Sequence, residues 1–128
     1  MVVPANTSVL VVDDSKTMIR IVCNLLRQIG FAMIDEAADG GGALGLMQTK
    51  SYGVVISDWN MEPMTGLALL QNVRANERLK KTPFIMVTAE SAIDNVIAAK
   101  KAGVNDYIIK PFNAETLKAK LVNVLGQF

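Results

Sequence analysis

Histidine is absent from the 128 residues, and Cys23 is the only cysteine. The first absence removes the commonest general base and transition-metal ligand. The second excludes an intrachain disulfide. Any metal or group-transfer chemistry must rest on carboxylates, amides, hydroxyls and lysines, and oxygen ligands of that kind suit Mg²⁺ or Ca²⁺. No sign of charge dominates either: thirteen basic and twelve acidic residues leave a net +1, so nothing points to nucleic acid or to a membrane surface. Long hydrophobic runs are missing too. The longest, such as Val9 to Val12 and Phe84 to Val87, are strand-sized and far too short to span a bilayer. No basic region followed by an apolar stretch marks a signal peptide, so the expected location is the cytoplasm. What remains is half hydrophobic and one-fifth charged, a balance that suits one soluble globular domain over residues 1–128, with no output domain.

Apolar runs of strand length alternate with segments of helical period. Val9 to Val12, Val54 to Ile56, Phe84 to Val87 and Tyr107 to Ile109 read as strands buried on both faces, and Met33 to Ala37 reads as a weaker one. Between them, Met18, Val22, Leu25, Leu26 and Ile29 recur at helical spacing before a stop at Gly30. Gly66, Leu69, Leu70 and Val73 mark another helix. Ile93, Val96 and Ile97 mark the next, with Ser91 as its cap and Gly103 past its end. Leu117, Leu121, Val124 and Leu125 mark the last, capped by Asn113. The segment from Asp39 to Thr49 carries four glycines, each costing roughly 1 kcal/mol in a helix interior. It is expected to form the weakest or shortest helix. Strand–helix alternation of this kind predicts an α/β fold, a parallel sheet with helices on both faces.

In such sheets ligands bind beyond the carboxyl ends of the strands. Asp13 and Asp14 follow the first run, and Ser57 and Asp58 follow the third. Thr88, Ala89 and Glu90 follow the fourth, and Lys110 and Pro111 follow the fifth. Two unit charges ~4 Å apart repel by about 4 kcal/mol at an effective dielectric near 20. Three carboxylates at one edge therefore call for a hard divalent cation, and Mg²⁺ fits. With it, Asp58 has the means to attack a phosphoryl donor, and Lys110, the Thr88 hydroxyl and the Ala89 N–H to bind the transferred oxygens. Taken singly, each residue has a plain structural use. Asp14 or Ser15 caps a helix, Thr88 closes a turn, and Lys110 is a solvated cation. Their meeting at one end of four strands argues for the chemistry.

Four stretches in order carry a resemblance: Val12-Asp13-Asp14-Ser15; Asp58-Trp59-Asn60-Met61 with Met64, Gly66, Leu67 and Leu70; Met86-Val87-Thr88-Ala89-Glu90; and Ala102-Gly103 leading to Tyr107-Ile108-Ile109-Lys110-Pro111-Phe112. Over residues 7 to 126 the chain resembles the receiver domains of two-component response regulators, in particular the stand-alone chemotaxis type. The resemblance implies a flavodoxin-like five-stranded sheet of order 2-1-3-4-5 and Asp58 as phosphoacceptor. It implies Mg²⁺ held by Asp13, Asp14, Asp58 and the backbone carbonyl of Asn60, and phosphoryl contacts from Thr88, Ala89 and Lys110. It also implies a switch in which Tyr107 turns inward as Thr88 moves, and a cis Lys110–Pro111 bond. A sensor histidine kinase would be the donor, the flagellar motor switch the target, and the protein a monomer. The lysines Lys100, Lys101 and Lys118 are placed with Tyr107 near the surface of the fourth helix, fifth strand and fifth helix. Asn60 and Glu90 sit where the family tunes the lifetime of the acyl phosphate.

Other readings remain open at this point. A phosphorelay intermediate or a phosphate sink would look similar. An Mg²⁺-dependent aspartyl phosphatase usually carries Asp-x-Asp after its first strand, where this chain has adjacent aspartates. A receiver fold used only for protein contact would not need the full acidic set. The run Gly40 to Gly45 fits a dinucleotide-binding G-x-G-x-x-G, a weak signal alone. Glu62 holds a place where the family often has proline, and Pro63 follows it. Cys23 and the seven methionines are expected to be packed inside, and Trp59 to flank the site.

Overall fold

The computed structural model describes residues 3–89 and 93–128. After a short 3-10 turn at Pro4–Asn6, five strand–helix units follow. They are β1 (Ser8–Val12), α1 (Lys16–Ile29), β2 (Met33–Ala37), α2 (Gly40–Thr49), β3 (Val54–Asp58), α3 (Gly66–Ala75), β4 (Phe84–Thr88), α4 (Ile93–Lys101), β5 (Asp106–Ile109) and α5 (Ala114–Leu125). The strands form one parallel sheet in the expected order β2-β1-β3-β4-β5. Two edges of the register matter most. Val12 lies opposite both Ala37 and Ser57, and Asp58 lies opposite Val87. The carboxyl ends of β1, β3 and β4 are therefore level.

Alternation along the strands builds two cores. Val9, Val11, Val54, Ile56, Ile85, Val87 and Ile108 face α1 and α5, where Ile19, Val22, Cys23, Leu26, Leu117 and Leu121 cover them. Leu10, Val12, Val55, Phe84 and Met86 face α2 and α3, under Ala43, Met47, Leu69, Leu70 and Val73. Burying such a side chain fully contributes roughly 1.5–3 kcal/mol, which is why continuous apolar runs, and not alternating ones, make these strands.

The caps explain where the helices begin. The hydroxyl of Ser15 accepts from the Met18 N–H at 3.2 Å, so the cap of α1 is Ser15 and not Asp14. Asn113 caps α5 through the Thr116 N–H at 2.9 Å. Gly30 and Gly103 leave α1 and α4 with φ of 121° and 92°, the region that favours glycine. Glu90 and the expected cap Ser91 lie outside the described residues.

One expectation needs correction. The glycine-rich α2 is not short: it has ten residues, as α3 does. Asp39 caps it, accepting from the Gly42 N–H at 2.6 Å. Gly40 is buried where a Cβ would collide with the Met64 side chain, 2.5 Å from its sulfur. That cap also disposes of the dinucleotide reading, because a carboxylate occupies the helix N-terminus that a pyrophosphate would need. The helix marked by Ile93, Val96 and Ile97 forms as α4, though Ile93 is 75% exposed and, of the described α4 residues, only Ala99 is buried. Lys118, on α5, lies over the Phe128 ring, 5.9 Å from its centroid, while Lys120 of the same helix reaches Asp106 of β5 at 3.2 Å. Of the described methionines, Met47, Met61 and Met86 are buried, Met18 and Met64 are half-buried, and Met33 on the edge strand is exposed. Cys23 is buried as expected.

Candidate functional site

Because β1 and β3 end level, Asp13, Asp14 and Asp58 come together. Each offers one carboxylate oxygen, and the three atoms lie within 4.8 Å of one another. Asp13 and Asp58 are buried, while Asp14 is exposed toward the mouth. Asp13 is fixed by its own turn, its Oδ1 accepting from the Ser15 N–H at 2.9 Å and its N–H donating to the Ala37 carbonyl at 3.1 Å. Burial pushes the Asp13 carboxyl above the usual carboxylate range; the Ser15 N–H opposes this and the Asp58 charge adds to it. A bound cation reverses such a shift.

Opposite the acids stands Lys110. Its Nζ lies 2.8 Å from Asp58 Oδ1. The approach is off the angle of a hydrogen bond, so this buried oxygen has an ionic contact but no hydrogen bond. The Lys110 N–H donates to the Thr88 carbonyl at 2.8 Å, which prolongs the β4–β5 pairing and anchors the lysine beside the site. The Lys110–Pro111 bond is cis, as expected. Glu62–Pro63 is cis as well. Thr88 is buried at the end of β4, and Ala89 follows it exposed. Tyr107 is half-buried against the α2–α3 core. Trp59 packs partly on the same core, directly after Asp58.

The donor set fits a hard cation: carboxylate oxygens from two strand ends, no sulfur or imidazole, and one buried oxygen with no hydrogen bond. A 530 Å³ depression lined by Asp14, Asn60, Met61, Glu62, Pro63 and Thr65 opens beside it.

Two residues to which the sequence reading gave no role support the site. Gly66 donates its N–H to the Trp59 carbonyl at 2.8 Å. A Cβ there would run into the Asp58 carbonyl and come 2.8 Å from Met86 Sδ. Its signal was the Thr65-Gly66 pair: Thr65 caps α3 through the Ala68 N–H. Ser57 is buried under the site, its hydroxyl donating to the Asp58 carbonyl at 3.0 Å. A buried hydroxyl within an apolar run was the only sign of it.

This arrangement has known counterparts. A family model described as the response regulator receiver domain matches residues 9–122. Among curated proteins, chemotaxis protein CheY of Pseudomonas aeruginosa is 49% identical over 116 residues, 91% of this chain and 94% of that one. Chemotaxis protein CheY-3 of Vibrio cholerae is 51% identical, over 91% and 89% of the two chains. Among solved structures, Vibrio cholerae CheY4 superposes with a TM-score of 0.87 at 38% identity, covering 93% of this chain and 98% of that one. The receiver domain of a Pseudomonas aeruginosa sensor histidine kinase has a TM-score of 0.85 at 26% identity, over 94% and 98% of the chains, and holds a magnesium ion in its active-site cleft. Fold, acidic cluster and family match thus agree: the chain belongs to the response regulator receiver domain family.

Proposed function

We propose that the protein is a stand-alone, cytoplasmic, monomeric response regulator that takes a phosphoryl group on Asp58 and thereby changes its affinity for a partner protein. The observation that carries this reading is the meeting of Asp13, Asp14 and Asp58 with the Lys110 ammonium at one sheet edge. Asp13, Asp14, Asp58 and the Asn60 backbone carbonyl would hold Mg²⁺. When bound, the ion neutralises charge on the transferring group.

The chain's own residues do the rest. An Asp58 carboxylate oxygen forms the new bond to phosphorus while the bond from phosphorus to the donor's imidazole nitrogen breaks. Lys110 neutralises the phosphoryl oxygens from the side opposite the acids. The Thr88 hydroxyl and the Ala89 N–H donate to those oxygens. The product is an acyl phosphate and not a released molecule, so the protein is a phosphoacceptor and not an enzyme in the usual sense. The added charge of about −1.5 to −2 draws Thr88 toward it, and Tyr107 turns inward into the space left. Moving such a switch from 1:99 to 99:1 takes roughly 5.5 kcal/mol of differential interaction, within reach of a few charge-assisted hydrogen bonds. The weakly seated α4, with only Ala99 buried among its described residues, suits the moving part.

Identity near one half to two chemotaxis proteins favours chemotaxis over a phosphate-sink or relay role. A histidine kinase would then be the donor and the flagellar motor switch the target. Incubation with acetyl phosphate, followed by intact-mass measurement, tests the chemistry. One phosphoryl group per chain, dependent on Mg²⁺, is expected. No adduct, or steady turnover of small phosphate esters, would overturn it.

A further inference from the structure

Away from the phosphoacceptor site, a groove of about 410 Å³ runs between α1 and the edge strand β2. Its wall is a row of cations: Lys16, Arg20 and Arg27. On a helix these positions fall within about 40° of one another around the axis and span about 16 Å along it. They form one stripe at the border of the buried face. The floor is apolar, with Ile19, Cys23 and Ala37.

Among the described residues none of the three cations makes an ion pair; the four salt bridges involve Lys50, Lys80, Lys110 and Lys120. Arg27 only meets the amide oxygen of Asn24, at 3.4 Å. One acid lies in the groove, Glu36, whose carboxylate accepts from the Cys23 thiol at 3.7 Å. In a chain with net charge +1, three cations against one acid make a local excess with nothing intramolecular to answer it. Their spread in a row, and not around a point, suits an extended ligand over a single small anion. The apolar floor suits side-chain stems over water.

The geometry points to this groove as a docking site for an acidic segment of a partner protein, engaged independently of Asp58 phosphorylation. Charge complementarity supplies the attraction and specificity. The acids of the segment align with Lys16, Arg20 and Arg27 while its apolar groups rest on Ile19 and Ala37. This goes beyond the phosphoacceptor reading and does not depend on it.

The test is a titration of the ¹⁵N-labelled protein with a synthetic glutamate-rich peptide that also carries leucines. Amide shifts confined to residues 16–27 and 36–38, weakening as salt is raised, are expected. The double variant Arg20→Gln with Arg27→Gln should bind about tenfold or more weakly yet melt at the wild-type temperature and take acetyl phosphate as before. Arg20→Glu alone should also weaken binding. Four results would overturn the proposal: no shifts; shifts centred on Lys100 and Lys101; equal binding by the double variant; or equal displacement by inorganic phosphate, which would mark a small-anion site. Failure of phosphorylation in the wild type would count against the Asp58 reading alone.

Discussion

The Lys110 ammonium lies 2.8 Å from Asp58 Oδ1 without meeting it as a hydrogen bond. The contact leaves a buried oxygen whose hydrogen-bonding capacity is unspent. Burying a carboxylate in this state is costly unless a cation completes the site.

Mg²⁺ is therefore expected to stabilise the fold. A ligand at a hundred times its dissociation constant adds about 2.7 kcal/mol. Thermal melts with increasing MgCl₂ should rise accordingly in the wild type, and the rise should be largely lost in Asp13→Asn. An equal rise in both would show that the ion binds elsewhere.

Gly66 and Gly45 should respond in opposite ways to alanine. At Gly66 a methyl group meets the Asp58 carbonyl and Met86 Sδ, so Gly66→Ala should cost about 1–3 kcal/mol. Nothing lies within 4 Å of a Cβ at Gly45, so Gly45→Ala should stabilise α2 by up to about 1 kcal/mol. Urea unfolding of the two variants reads both signs.

Arg74 clasps the end of the sheet away from the site. Its guanidinium donates to the carbonyls of Gly103 (2.9 Å), Lys80 (3.1 Å) and Thr82 (2.6 Å) and to the Asn105 side chain (2.8 Å). Desolvation by burial lowers its pKa. Arg74→Met removes the guanidinium donor from three carbonyls, while Asn105 Oδ1 keeps the Phe84 N–H, and should cost about 1.5–3 kcal/mol. Arg74→Lys should restore only part of this, since an ammonium lacks the planar fork. Denaturant midpoints measure the difference.

Asp35 supplies a pH test. The Tyr52 hydroxyl at 2.7 Å, and then Lys50 at 2.9 Å, hold its carboxyl below the ordinary value of 3.8. A lowered folded-state pKa means that the contribution is present above 3.8 and is lost as pH falls through the lower folded value. Tyr52→Phe removes the larger cause, so the Asp35 titration should move up toward 3.8. Carboxyl ¹³C shifts follow it directly; an unmoved midpoint would contradict the assignment.

Cys23 should be inert. Burial, followed by the Glu36 charge and hydrogen bond, pushes its thiol up to about 11, and the thiolate is the reactive form. Ellman's reagent should react slowly with the native protein and fully in denaturant.

The sheet order was open to the resemblance, and the acidic end of the sheet to the residues themselves. Asp13 and Thr88 directly follow continuous apolar runs and Asp58 follows one after Ser57, and a parallel sheet brings such ends level. Other features had no such signal. Periodicity marks Ile93 and Ile97 as helical but does not say whether anything covers them. The length of α2 turned on the Asp39 cap and on the fit of Gly40 beneath Met64, against the helix propensity of glycine. Arg74 stands alone at the end of a helix, and its partners are mostly backbone carbonyls, which carry no side-chain signal in the sequence. Lys118 and Lys120 lie on opposite sides of α5, a distinction that only the packing of β5 and Phe128 reveals.

The central claim is that Asp58 is the group that takes phosphorus. Wild type and Asp58→Asn, each incubated with acetyl phosphate and Mg²⁺, should differ in intact mass by one phosphoryl group, carried by the wild type alone beyond the change from aspartate to asparagine. A phosphoryl adduct of equal extent on Asp58→Asn would contradict it.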